Sequence, residues 1–195
     1  YDYSKVIYNG CQVNVLIKHN RCGYLFECTP DNHKRGKGCP RCKTSKGEKM
    51  VINFLILQEL TINEDFTMQK KFENCMNKKY LPFDIFIRCD YFLNKHDKYN
   101  RIWIIEYDGE QHTRPVKRFG GIDKFIKLVM NDSIKNKYCK DNNISLIRIP
   151  YTINTQEDIN LYLEDKIFNS TLEELNDHNK ILEKQQQDII RKFKN

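Results

Sequence analysis

Two short runs constrain the fold of this chain more than anything else in it. Residues 81–87 read Leu-Pro-Phe-Asp-Ile-Phe-Ile and residues 101–107 read Arg-Ile-Trp-Ile-Ile-Glu-Tyr. Both are rich in β-branched and aromatic side chains and have the length of strands in a buried sheet. Each carries an acid: Asp84 interrupts the first run and Glu106 sits near the end of the second, with Asp108 one alternation further along the same face. A carboxylate inside an apolar strand is costly to bury unless it is paired or binds a metal. Asp84, Glu106 and Asp108 therefore ask for a shared cation.

The remaining pattern supplies the elements around these strands. Strands are expected over 13–17 and 24–28, joined by the turn His19-Asn-Arg-Cys-Gly23, then over 66–72 and 144–149, the last stopped by Pro150. The polar stretch 94–100 is the expected loop between the two acid-bearing strands. Ser45-Lys-Gly-Glu48 has capping-box spacing and starts a helix over about 46–60. A second helix is expected over 122–139, with an apolar stripe of Ile122, Phe125, Ile126, Val129, Met130 and Ile134. Thr155-Gln-Glu-Asp158 opens another helix, and a last one covers about 171–193. In that last helix Leu175, Leu182 and Ile189 recur every seven residues, with Asn179 and Gln186 between them. The repeat fits packing on its own domain, or a short coiled-coil seam with a second copy of the chain. The order points to an α/β core, a mixed four-stranded sheet flanked by helices, with a small β-rich module in front and a helical tail behind. The expected boundaries are 1–44, 45–153 and 154–195.

The front module carries two matched ligand pairs, His19-x-x-Cys22 and Cys39-x-x-Cys42. Tetrahedral Zn²⁺ binds imidazole and thiolate in such pairs. His33 and Cys28 are alternatives to His19 as the fourth ligand. A structural zinc ion would fold a module too small to stabilise itself, and Arg35, Lys37 and Arg41 would then meet phosphates. Cys11, Cys28, Cys75, Cys89 and Cys139 lie in apolar, strand-like or helical contexts and suit a reducing compartment.

The net charge of +7 is unevenly placed. Residues 33–49 hold seven Lys or Arg against Glu48 alone, and residues 111–140 hold eight against Asp123 and Asp132. Two basic segments bracketing an acidic core suggest a polyanion partner, the alternative being a solvated surface. No run is long and apolar enough to span a membrane, and the first residues lack the apolar core of a secretory signal. A cytoplasmic or nuclear location is the expectation.

Phe83-Asp84, a loop, then Ile-Ile-Glu106-Tyr-Asp108-Gly-Glu-Gln-His112 resembles the PD-(D/E)XK nuclease superfamily. Within it the match is closest to the branch of very-short-patch repair endonucleases and the homing endonucleases with an EDxHD motif. The front module is similar to a zinc-containing repeat found beside such nucleases in phages and large DNA viruses. The similarity covers roughly residues 1–150. It implies a restriction-endonuclease-like core that hydrolyses double-stranded DNA with Mg²⁺ held by Asp84, Glu106 and the Tyr107 carbonyl. Glu48 matches an acid these enzymes place near the metal, although it also fits a plain helix cap. Superfamily members carry Lys two residues after the motif acid, whereas this chain has Asp108. The substitutes are Gln111 and His112, with His112 as general base or leaving-group acid, or a water activated by the metal alone. Arg114, Lys117, Arg118, Lys135 and Lys137 are expected along the DNA groove. A non-catalytic DNA-binding module, or a mismatch- or RNA-directed nuclease, are the alternatives.

Overall fold

The computed structural model describes residues 1–88 and 102–194; Cys89, the loop expected at 94–100 and Arg101 lie outside the described residues. The chain divides into two compact units, Tyr1–Lys46 and the remainder from Gly47.

In the first unit β1 (Val15–Lys18) pairs antiparallel with β2 (Leu25–Cys28), Val15 opposite Cys28. Alternation turns Val15, Ile17, Phe26 and Cys28 inward. Gly23, at φ +70°, closes the connecting turn in a conformation that side-chain-bearing residues adopt only with strain. Two helical turns follow, α1 (Pro30–Lys34), capped by the Thr29 side chain, and α2 (Pro40–Lys43). Both are too short to show a helical period in sequence, although each starts on a proline at its first turn.

The second unit begins on α3 (Lys46–Leu57), followed by β3 (Phe66–Lys70) and a minimal hairpin of β4 (Met76–Asn77) and β5 (Lys79–Tyr80). Then come β6 (Phe83–Ile87), β7 (Trp103–Asp108), α4 (Gly121–Asp141), β8 (Ser145–Pro150), α5 (Gln156–Asn169) and α6 (Leu172–Lys194). The sheet order is β3-β6-β7-β8, antiparallel except for the parallel β7–β8 pair. The protein is thus a mixed α/β fold with a four-stranded mixed sheet, a small N-terminal two-stranded sheet and a C-terminal helix.

Register decides which side chains share a face. Phe86 lies opposite Ile104, Ile104 beside Leu146, and Glu106 beside Arg148. Period-two alternation therefore puts Asp84, Phe86, Ile104, Glu106, Asp108, Leu146 and Arg148 on one face. Cys139 of α4 joins Ile104 and Leu146 in the core on that side. On α3, a Cβ built at Gly47 would stand 2.1 Å from the Tyr107 ring, so only glycine lets helix and strand approach this closely.

α4 differs from its expected stripe. Phe125 and Val129 are buried, but Met130 is 52% exposed, while Asp132 and Lys135 are buried on the inner face. The helix has rotated to bring two charges inward, which apolar periodicity cannot anticipate. The heptad positions of α6 turn onto the chain's own unit. The Asn179 amide donates to the Leu146 carbonyl, and Ile189 and Ile190 pack with Phe125 and Val129. No described helix is long and apolar enough to cross a membrane.

Candidate metal centre and carboxylate site

The turn after β1 and the start of α2 bring His19, Cys22, Cys39 and Cys42 together, all four ligand atoms lying within 4.8 Å of one another. His19 Nδ1 is 3.2 Å from Cys22 Sγ and 3.3 Å from Cys42 Sγ, and the sulfurs of Cys22 and Cys39 are 3.6 Å apart. A tetrahedral zinc ion sets ligand atoms about 3.5–3.8 Å from each other. The cluster can therefore bind a metal such as zinc with little movement. Burial pushes the Cys22 thiol up, but the Tyr24 backbone N–H and the His19, Cys39 and Cys42 side chains outweigh it and hold it at about 7. Neither alternative fourth ligand joins the cluster: His33 Nε2 hydrogen-bonds the Tyr3 hydroxyl, and Cys28 is buried in β2. Of the module's cations, Lys37 is exposed, Arg35 pairs with Asp31, and Arg41 turns inward to donate to the Cys22 carbonyl.

In the second unit Asp84 and Glu106 meet across the β6–β7 pair. The Asp84 backbone N–H donates to Glu106 Oε1 at 2.9 Å, and the Tyr107 N–H donates to Asp84 Oδ2 at 3.0 Å. Glu48 approaches from α3 through Gln69, whose Nε2 lies 3.3 Å from Glu48 Oε1 and 3.5 Å from Asp84 Oδ1. Burial first, then the charges of Glu106 and Glu48, raise the Asp84 carboxyl well above the ordinary range. Such a group gains most from a cation, and the donor set is the hard oxygen set that Mg²⁺ takes. Each Glu106 oxygen already accepts one hydrogen bond, but a carboxylate oxygen has a second lone pair to offer.

Lys135, expected among the DNA-contacting cations, is instead buried. Its Nζ reaches Glu106 Oε2 at 2.6 Å and lies over the Phe83 ring. α4 thus brings a lysine to Glu106, while position 108 carries an acid. No sequence spacing connects residues 106 and 135; only the packing of α4 does.

Asp108 does not share a site with Asp84. It belongs to a second, adjoining cluster: Arg148 Nη1 contacts both Asp108 oxygens at 2.7 and 2.9 Å, and Arg148 Nη2 contacts Asp132 Oδ1 at 3.2 Å. His112 Nδ1 lies 2.8 Å from Asp132 Oδ2 and 3.6 Å from Asp108 Oδ1. The ligand atoms of Asp108, His112 and Asp132 also lie within 4.8 Å of one another, but the Arg148 guanidinium already supplies the cation there. Burial raises Asp132, but Arg148 and His112 outweigh it and hold the carboxyl at about 2. Burial lowers His112, and Asp132 with Asp108 more than offsets it, leaving the imidazole above its ordinary value. The sequence assigns no role in a site to Arg148 or to Asp132, which enters there only as a charge in the segment 111–140. Arg148, a charge inside the apolar strand 144–149, was the available signal.

The Gln111 amide folds back against Gly109. The Tyr107 hydroxyl donates to the Tyr151 and Ile153 carbonyls. Arg114 and Arg118 both pair with Glu110, Lys117 is exposed, and Lys137 pairs with Asp141 at 2.7 Å.

No family model matches the chain, and no solved structure matches it. It is similar to a protein of Invertebrate iridescent virus 6 named "Uncharacterized protein 307L", 36% identical over 64 residues. That stretch is 32% of this chain and 31% of the viral protein, so the chain spans about a third of its relative.

Proposed function

We propose that the chain is a Mg²⁺-dependent DNA endonuclease of the PD-(D/E)XK type, with Asp84 and Glu106 as metal ligands and a zinc-folded front module that adds DNA affinity. The observation that carries this reading is the convergence of Asp84, Glu106 and Lys135. Glu106 receives the Asp84 backbone N–H on one oxygen and the buried Lys135 ammonium, from a different element, on the other, and the Asp84 carboxyl feels the charge of both side chains. Position 108 carries an acid where the resembled superfamily has Lys, the main support for the alternative of a non-catalytic module; the Lys135 ammonium beside Glu106 supports the catalytic reading instead.

When bound, Mg²⁺ supplies charge neutralisation at the phosphate. Lys135 orients Glu106 through its 2.6 Å contact with Oε2. Glu48, linked to Asp84 through Gln69, adds negative charge that favours the cation. His112 takes a proton from the attacking water or gives one to the leaving oxygen, and Asp132 holds its Nδ1 so that Nε2 is free to do so. The exposed cations at Lys37, Lys117 and Lys137 contact DNA phosphates, giving an affinity that falls with salt.

The test is nicking of supercoiled plasmid with Mg²⁺ alongside a gel-shift measurement of DNA binding. D84N, E106Q and K135M are expected to lose cleavage by at least about a hundredfold while binding and unfolding transitions persist. Wild-type cleavage by D84N or E106Q would remove this assignment of the centre.

A further inference from the structure

The C-terminal helix reaches into the second cluster. Gln186 of α6 is buried, and its Nε2 donates to the His112 carbonyl at 2.8 Å and to Asp132 Oδ2 at 3.2 Å. Those two acceptors are the backbone of the candidate base and the oxygen that holds its ring. One amide therefore ties the short helical turn Glu110–His112 to α4, reaching His112 from 74 and Asp132 from 54 residues away in the chain. With Nδ1 on Asp132, the His112 Nε2 has no partner among the described residues. His112 and Gln186 line the same cavity of about 390 Å³, walled by Leu182, Ile189 and Lys192 of α6.

We propose that Gln186 is a positioning residue for the nuclease reaction, fixing the His112–Asp132 pair, and that α6 is part of the site, an inference that rests on the function proposed above. The chemistry suits the role. A carboxamide NH₂ has two donors and here meets two acceptors, so it restrains Asp132 without adding charge. Asp132 then receives His112 and Gln186 on one oxygen and Arg148 on the other. A side chain that only filled space could be apolar; this one bridges the ring's partner and the ring's own backbone.

The charged groups facing His112 are Asp108 from β7, Asp132 from α4 and Arg148 from β8, with Asp188 and Lys192 of α6 on the cavity wall and Glu110 on its own turn. Removing the Gln186 donor leaves Asp132 more basic, so the His112 titration midpoint moves up.

The experiment uses the full chain with Q186M, which keeps length without donors, and Q186E, which sets a carboxylate against Asp132. Plasmid nicking as a function of pH gives kcat and KM, and NMR follows the His112 ring through titration without needing activity. In Q186M the expected results are a kcat about ten- to a hundredfold lower at unchanged KM, and a His112 midpoint above wild type. Q186E moves the midpoint further up. A His112 midpoint that stays in place or falls overturns the proposal, whether or not kcat drops, because a purely structural amide would leave it unmoved. Should Q186M lose its unfolding transition, Q186E is read by the same criteria. If the wild-type chain does not nick DNA, the nuclease reading fails, while the His112 midpoints still decide whether Gln186 positions the pair.

Discussion

Replacing Arg148 by Met tests the electrostatic frame on which the second cluster depends. The guanidinium is 2% exposed and contacts Asp108 at 2.7 Å and Asp132 at 3.2 Å, the two carboxylates being 10% and 4% exposed. R148M keeps most of the volume but leaves two buried acids facing each other. Breaking a buried pair by removing one partner costs about 3–5 kcal/mol, a large part of the roughly 5–15 kcal/mol that holds a domain folded. The chain's single tryptophan, Trp103, is fully buried in β7, so its fluorescence in a urea series reports on this unit. The pH dependence sharpens the test. Asp132 is depressed from 3.8 to about 2, so its stabilisation is present above pH 3.8 and is lost as pH falls toward 2. At neutral pH that linkage is worth about 2 kcal/mol, of which about half is gone at pH 3. Arg148 is the largest influence holding Asp132 down, so R148M loses most of this gain. The penalty of the substitution should therefore be about 1 kcal/mol smaller at pH 3 than at pH 7. Adding D108N and D132N to R148M should restore part of the lost stability, since no unpaired charge then remains. A penalty below about 1 kcal/mol, or one equal at both pH values, would refute the reasoning.

Two further outcomes are expected. Metal analysis should find one zinc per chain, absent from C39S, and chelation should unfold the first unit while the Trp103 transition persists, because the four ligands all lie within Tyr1–Lys46. G47A should destabilise the second unit by about 1–3 kcal/mol, since its new methyl meets the Tyr107 ring, and pairing it with Y107L should recover most of that loss in a double-mutant cycle.

The metal cluster was legible because its ligands come as two local pairs. His19-x-x-Cys22 and Cys39-x-x-Cys42 each close within one turn, and the choice between His19, His33 and Cys28 was all that needed coordinates. The strands were legible for a similar reason. Ile85, Ile87, Trp103, Ile104 and Ile105 form dense apolar runs, and these become the buried centre of the sheet. The charged residues around that sheet were less legible. Asp108 was grouped with Glu106 because alternation puts both on one face, and both do lie there. Which partner each acid takes depends on what packs over it: Lys135 over Glu106, Arg148 beside Asp108. The role of α6 was hidden for the same reason, since its heptad repeat looks identical whether it meets a second copy or its own α4.

Sequence alone therefore determined the elements that arise from local rules: strand alternation, the paired metal ligands, the Thr155 cap, and the acids stranded in apolar runs. Tertiary structure decided what those rules leave open, namely which cation answers each acid. Lys135 and Gln186 reach Glu106 and His112 from 29 and 74 residues away. Pairings at that separation follow from how helices pack on a sheet, and burial makes them specific: once water is excluded, every buried charge must be met by whichever donor the fold brings within about 3 Å.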